Sequence, residues 1–82
     1  MYGSEIMKTV EEICKYIRHH KNTPDLHTAI IHTKTNRILL DYDYDCFSVV
    51  VMNDNSSKRA EFKTIPEVIS FIGTNEIEWY DM

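Results

Sequence analysis

The chain has 82 residues, 43% of them hydrophobic and 27% charged, which excludes a disordered chain and predicts a single domain over residues 1–82. Its apolar runs fall far short of the ~20 residues of a membrane span, and the first residues lack a secretory pattern, so a cytoplasmic protein without membrane contact is expected. The formal net charge is −4 and arises in the second half: residues 1–37 hold six Lys/Arg against four Asp/Glu, whereas residues 38–82 hold three against nine.

The first predicted element is a helix near the N-terminus. Its apolar residues have the helical period and form one stripe of Ile6, Val10, Ile13, Cys14 and Ile17. Two starts compete, because Ser4 would cap a longer helix, whereas Thr9 with Glu12 three residues later forms a capping box for a shorter one. The basic residues 18–21 complement the negative end of a helix dipole and predict that the helix ends there.

Four strands are predicted after this helix, joined by short turns. Residues 26–33 are rich in β-branched side chains, and residues 34–37 are typical of a turn. Ile38, Leu40 and Tyr42 alternate with Leu39, Asp41 and Asp43, which predicts a strand with a period of two. Residues 46–52 are apolar on both faces and predict a central strand, and residues 58–63 alternate again.

A second helix and a last short strand complete the prediction. Thr64 with Glu67 forms a second capping box, and Gly73 suits the end of that helix. Residues 76–80 alternate as a short edge strand, in which Trp79 either covers the core or lies exposed at the edge. The order α-β-β-β-β-α-β predicts an α+β fold, with a mainly antiparallel sheet and two helices packed on one face. The expected core contains Val10, Ile13, Ile17, Val49, Val51, Phe62, Val68, Ile69 and Ile72.

The stretch DYDYDC at residues 41–46 requires a separate interpretation. A calcium loop of the EF-hand type is excluded, because Cys46 stands at its glycine position and Met52 at its glutamate position. A catalytic carboxylate pair at Asp41 and Asp43 needs a cleft that excludes water, and a chain of this size has little room for one. The interpretations left are a hairpin tip at residues 43–45, where aspartate is favoured, and a partner-binding surface that includes this tip.

The binding hypothesis depends on the mixture of tyrosine and aspartate. Rigid aromatic rings supply contact area, and carboxylates pair with Lys and Arg on a basic surface of another protein. The candidate partner-binding residues are Asp41, Tyr42, Asp43, Tyr44, Asp45 and Asp54. By analogy of size and charge with inhibitors from phages and mobile elements, including nucleic-acid mimics and anti-CRISPR proteins, we expect a monomeric or homodimeric inhibitor or regulator.

The sequence favours no enzyme, cofactor or metal site. The four histidines and two cysteines lack the spacing of a zinc site. Both cysteines lie in apolar stretches, unlike a nucleophilic thiolate. Direct nucleic-acid binding is disfavoured, since a phosphate backbone needs a basic surface. Two alternatives stay open: a nucleic-acid-binding regulator that uses the basic end of the first helix, and a small metal-binding protein or enzyme subunit.

Overall fold

The computed structural model describes residues 7–23 and 27–82. These residues form two helices and five strands in the predicted order, and the α+β class is confirmed. The elements are α1 (Val10–His19), β1 (Thr28–His32), β2 (Arg37–Asp43), β3 (Cys46–Met52), β4 (Ser57–Phe62), α2 (Ile65–Ile72) and β5 (Trp79–Asp81).

The five strands form one sheet in the spatial order β4-β3-β2-β1-β5, with every neighbouring pair antiparallel. Successive hairpins place β1 to β4 side by side, and the chain returns through α2 so that β5 pairs with the free edge of β1. The central strand is therefore β2. The predicted central strand, β3, lies beside it and is paired on both sides, but only Phe47 and Val49 on one of its faces are fully buried.

Local hydrogen bonds explain where α1 begins. The N–H of Glu12 donates to Oγ1 of Thr9 at 3.1 Å, and Oε1 of Glu12 accepts the N–H of Lys8 at 2.9 Å. Thr9 thus caps the helix as predicted, while Glu12 bonds to the residue before the N-cap, a variant of the capping box that sets the helix start at Val10. The alternative cap at Ser4 lies outside the described residues. The helix ends at His19, within the predicted basic segment.

The start of α2 is weaker than predicted. The side chain of Thr64 makes no capping bond to the backbone, and its hydroxyl instead donates to Oε1 of Glu67 at 2.7 Å. This bond joins two side chains and satisfies neither backbone N–H of a capping box, so the predicted box is not formed, and Pro66 in the first turn supplies the start signal. Gly73 closes the helix with a φ of 90°, a left-handed conformation that favours glycine.

One hydrophobic core joins both helices to one face of the sheet, as predicted. Six of the nine predicted core residues are buried, namely Val10, Ile13, Ile17, Val49, Val68 and Ile72. The other three, Val51, Phe62 and Ile69, are half-buried and pack against that core. Each element therefore uses the apolar face that its sequence period indicates.

The opposite face of the sheet, the open face, carries the strand residues that alternate with the core residues, among them Ile30, Leu39, Asp41 and Val50. No helix or strand among residues 7–23 and 27–82 packs on it. Trp79 lies there, 54% exposed, with its ring stacked on His32 at a centroid distance of 3.7 Å. The expectation that Trp79 covers the core was wrong, because β5 directs Tyr80 towards the core instead. No helix in the described ranges is long and apolar enough to span a membrane.

Candidate functional site

The tip of the β2–β3 hairpin is a two-residue turn with an unusual backbone. Asp43 pairs with Cys46, and between them Tyr44 and Asp45 have φ values of 52° and 61°. Positive φ at both central residues is the signature of a type I′ turn, the turn that best matches the twist of two antiparallel strands. Asn-Gly is its usual sequence, so a tyrosine at the first position is an exception.

The side chains of the turn differ sharply in their surroundings. Tyr44 is 91% exposed, so its ring packs on nothing. Oδ1 of Asp43 accepts the N–H of Tyr44 at 3.0 Å, which stabilises the entry to the turn. Oδ1 of Asp45 lies 3.4 Å from Nζ of Lys21, just beyond the end of α1, and both side chains are largely exposed. Such exposed pairs contribute little to stability. We call residues 43–45 the acidic tip.

Asp41 has a different environment from the acidic tip. It lies on the open face, where its Oδ1 is 2.8 Å from Nδ1 of His27 and accepts the hydroxyl of Thr28 at 2.9 Å. The hydrogen bond to Asp41 raises the pKa of His27, desolvation opposes this, and the charges of Asp41 and Asp43 raise the pKa further. His27 and Lys21 were missing from the predicted site. His27 could have been found from the strand register, because the pairing of Thr28 with Asp41 sets His27 beside the Asp41 carboxylate.

The structure places two further candidates away from the tip. Tyr42 belongs to the core: it is 7% exposed and makes an edge contact with the ring of Phe47 at a centroid distance of 4.7 Å. Asp54 lies in the β3–β4 turn, at the opposite end of the seven-residue strand β3 and about 20 Å from the acidic tip. Of the six candidate residues, Asp43, Tyr44 and Asp45 therefore form the exposed tip, and Asp41 lies two residues before it on the open face.

The described residues offer little to nucleophilic or metal chemistry. Burial raises the pKa of the Cys14 thiol to about 12, so it stays protonated at neutral pH. No group of three or more His, Cys, Asp or Glu side chains within residues 7–23 and 27–82 is placed to hold a metal ion. The acidic tip presents an exposed phenol ring between two carboxylates.

Comparison of the chain with protein-family models, with curated proteins and with solved structures found no match.

Proposed function

We propose that this protein is a small acidic, non-enzymatic binding module whose acidic tip occupies a basic surface of a partner protein and so inhibits or regulates it. Tyr44 carries the proposal. Its ring is 91% exposed on a left-handed backbone, a position where a bulky side chain costs of order 1 kcal/mol relative to Asn or Gly. A tyrosine at position 44 adds nothing to the stability of the fold, because its ring packs on nothing. A rigid, exposed tyrosine is, however, typical of protein interfaces.

The charges beside Tyr44 indicate the sign of the partner surface. Asp43 and Asp45 flank the ring, and Lys21 is the only cation among the described residues that forms an ion pair with either of them. Carboxylates this close repel each other in the free protein, and a basic partner relieves that repulsion. Basic protein surfaces commonly bind nucleic acid, so the proposal includes a nucleic-acid mimic in the style of phage or anti-CRISPR inhibitors.

The position of Lys21 weakens the main alternative, a nucleic-acid-binding regulator. This lysine belongs to the basic end of α1, and its Nζ lies 3.4 Å from Oδ1 of Asp45. Two further carboxylates, Asp41 and Asp43, lie on the same hairpin. A phosphate backbone approaching the basic end of α1 would therefore meet negative charge, which opposes binding.

Site-specific photo-crosslinking tests where the partner binds. The photoreactive residue p-benzoyl-phenylalanine replaces Tyr44 in one variant and Asp54, at the far end of the sheet, in a matched control. Both variants are irradiated in an extract of the source cell, and crosslinked proteins are identified by mass. We expect one protein captured from position 44 and absent from position 54. Equal capture from both positions, or none from position 44, would contradict the proposal.

Binding kinetics with the purified captured protein then test the chemistry. Asp43→Asn with Asp45→Asn should slow association and reduce its salt dependence, because opposite charges mainly speed encounter. Tyr44→Ala should instead speed dissociation, by about tenfold or more if the ring is an anchor. Asp54→Asn, which also removes one negative charge, is the control and should leave both rates unchanged. Rates and salt response that match the wild type in the tip variants would exclude the acidic tip as the interface.

A further inference from the structure

The open face carries a continuous apolar strip across its middle. Ile30, Leu39 and Val50 are direct neighbours on β1, β2 and β3, because the register pairs Ile30 with Leu39 and Leu39 with Val50. Leu39 is 38% exposed, and the other two are half-buried. Contiguous apolar surface on a small protein marks an interaction site more often than a single exposed leucine does.

Charges of opposite sign lie on either side of this strip along the central strand. Side chains two residues apart on a strand share a face, so Arg37, Leu39 and Asp41 follow one another on the open face of β2. Arg37 is exposed and forms no ion pair with any residue in the described ranges. Asp41 uses one carboxylate oxygen, Oδ1, for both of its bonds. The open face of β2 is therefore positive on one side of Leu39 and negative on the other.

We propose that a second copy of the chain packs on this open face, related by a two-fold axis that passes through Leu39 and runs across the strands. This axis reverses the strand direction, so Arg37 of each copy faces Asp41 of the other and the apolar strips coincide. A two-fold axis along the strands would instead place Arg37 on Arg37 and Asp41 on Asp41. The axis across the strands sets Arg59 of β4 and Asp81 of β5 each opposite its own copy, whereas the axis along the strands would pair them with each other. Both of these residues are exposed on edge strands, where solvent screens their charges, so the central charges on β2 carry more weight and favour the axis across the strands.

The size of the face is consistent with a weak dimer. Five strands about 4.8 Å apart and about 20 Å long give a face of roughly 500 Å². Two such faces bury roughly 1,000 Å² in total, which is the lower limit for a specific interface. We therefore expect association at micromolar concentrations, held at its centre by Leu39 and two Arg37–Asp41 pairs.

Sedimentation equilibrium of the pure protein tests the dimer directly. Over about 10 to 500 µM, a range suited to such a small interface, the wild type should shift from monomer to dimer. Leu39→Glu places two carboxylates at the axis and should keep the protein monomeric, with an unchanged circular dichroism spectrum because Leu39 lies outside the core. A wild type that stays monomeric throughout, or a Leu39→Glu variant that dimerises equally well, would overturn the proposal.

A charge exchange tests the arrangement of the two copies. Arg37→Asp or Asp41→Arg alone sets like charges opposite each other and should weaken the dimer at least tenfold. The two changes together restore opposite charges and should recover it. Lys58→Asp, an equal change of charge on the other face of β4, is the control and should dimerise normally. Failure of the double variant to recover the dimer would overturn this arrangement. Tyr44→Ala should dimerise like the wild type, which separates this proposal from the function of the acidic tip.

Discussion

Tyr42 and Tyr44 are separated by a single residue, yet the first is 7% exposed and the second 91%. The difference arises from the end of β2. Tyr42 is the last residue of that strand on the core face, where it meets Phe47, whereas Tyr44 is the first residue of the type I′ turn. One aromatic residue therefore serves the fold, and the other is available to solvent or to a partner.

Alanine substitution should separate these two roles. Tyr42→Ala removes a buried ring and should lower the free energy of unfolding by about 2–4 kcal/mol. Tyr44→Ala removes no packing and should stay within about 0.5 kcal/mol of the wild type. Equilibrium unfolding in urea measures both values. Similar losses for the two variants would mean that the ring of Tyr44 packs on the protein.

The backbone of the turn makes a second prediction. Asparagine tolerates positive φ better than tyrosine does, so Tyr44→Asn should raise the free energy of unfolding by roughly 0.5–1 kcal/mol. Tyr44→Val is the matched control and should lower it, because a β-branched side chain is strained in the left-handed region. If both variants change stability in the same direction, the backbone of Tyr44 does not govern the turn.

The sequence predicted those parts of the fold in which a local signal and the hydrophobic period agree. Thr9 with Glu12 marked the start of α1, and the alternation of Ile38, Leu40 and Tyr42 identified the buried face of β2. The same alternation already opposed an exposed role for Tyr42. The candidate site was chosen from the composition of DYDYDC, and composition does not distinguish a buried tyrosine from an exposed one.

Long-range pairing was the part that local patterns could not supply. Trp79 lies in a three-residue strand, too short for alternation to fix which face it occupies, and its pairing with His32 decides the matter. Asp54 shares the negative charge of the acidic tip, but strand length places it at the other end of the sheet. The position of Trp79 depends on register, which is set by partners distant in the chain, whereas that of Asp54 follows from the length of β3 alone.

The degree of burial should rank core substitutions on different elements. Ile13 is fully buried between α1 and the sheet, so Ile13→Ala should cost about 2–4 kcal/mol. Val51 faces the same core but is only half-buried, near the end of β3, so Val51→Ala should cost less, about 0.5–1.5 kcal/mol. Thermal or urea unfolding of both variants checks the order. A larger loss for Val51→Ala would place the centre of the core nearer that end of the sheet.

The contact between His27 and Asp41 should make stability depend on pH near neutrality. The pKa of His27 is raised in the folded protein by its hydrogen bond to Asp41, with help from the charges of Asp41 and Asp43. A raised folded pKa adds stability below the ordinary histidine pKa of 6.5, and this stability is lost as the pH rises through the raised value. The wild type should therefore exceed Asp41→Asn in stability by more at about pH 6 than at about pH 8.5.

Asp54→Asn, with the same loss of charge at the other end of the sheet, is the control and should keep the pH response of the wild type. Titration of the His27 ring by NMR gives the direct measurement: its pKa should fall towards the ordinary value in Asp41→Asn, and an unchanged pKa there would show that Asp41 does not hold the proton on His27.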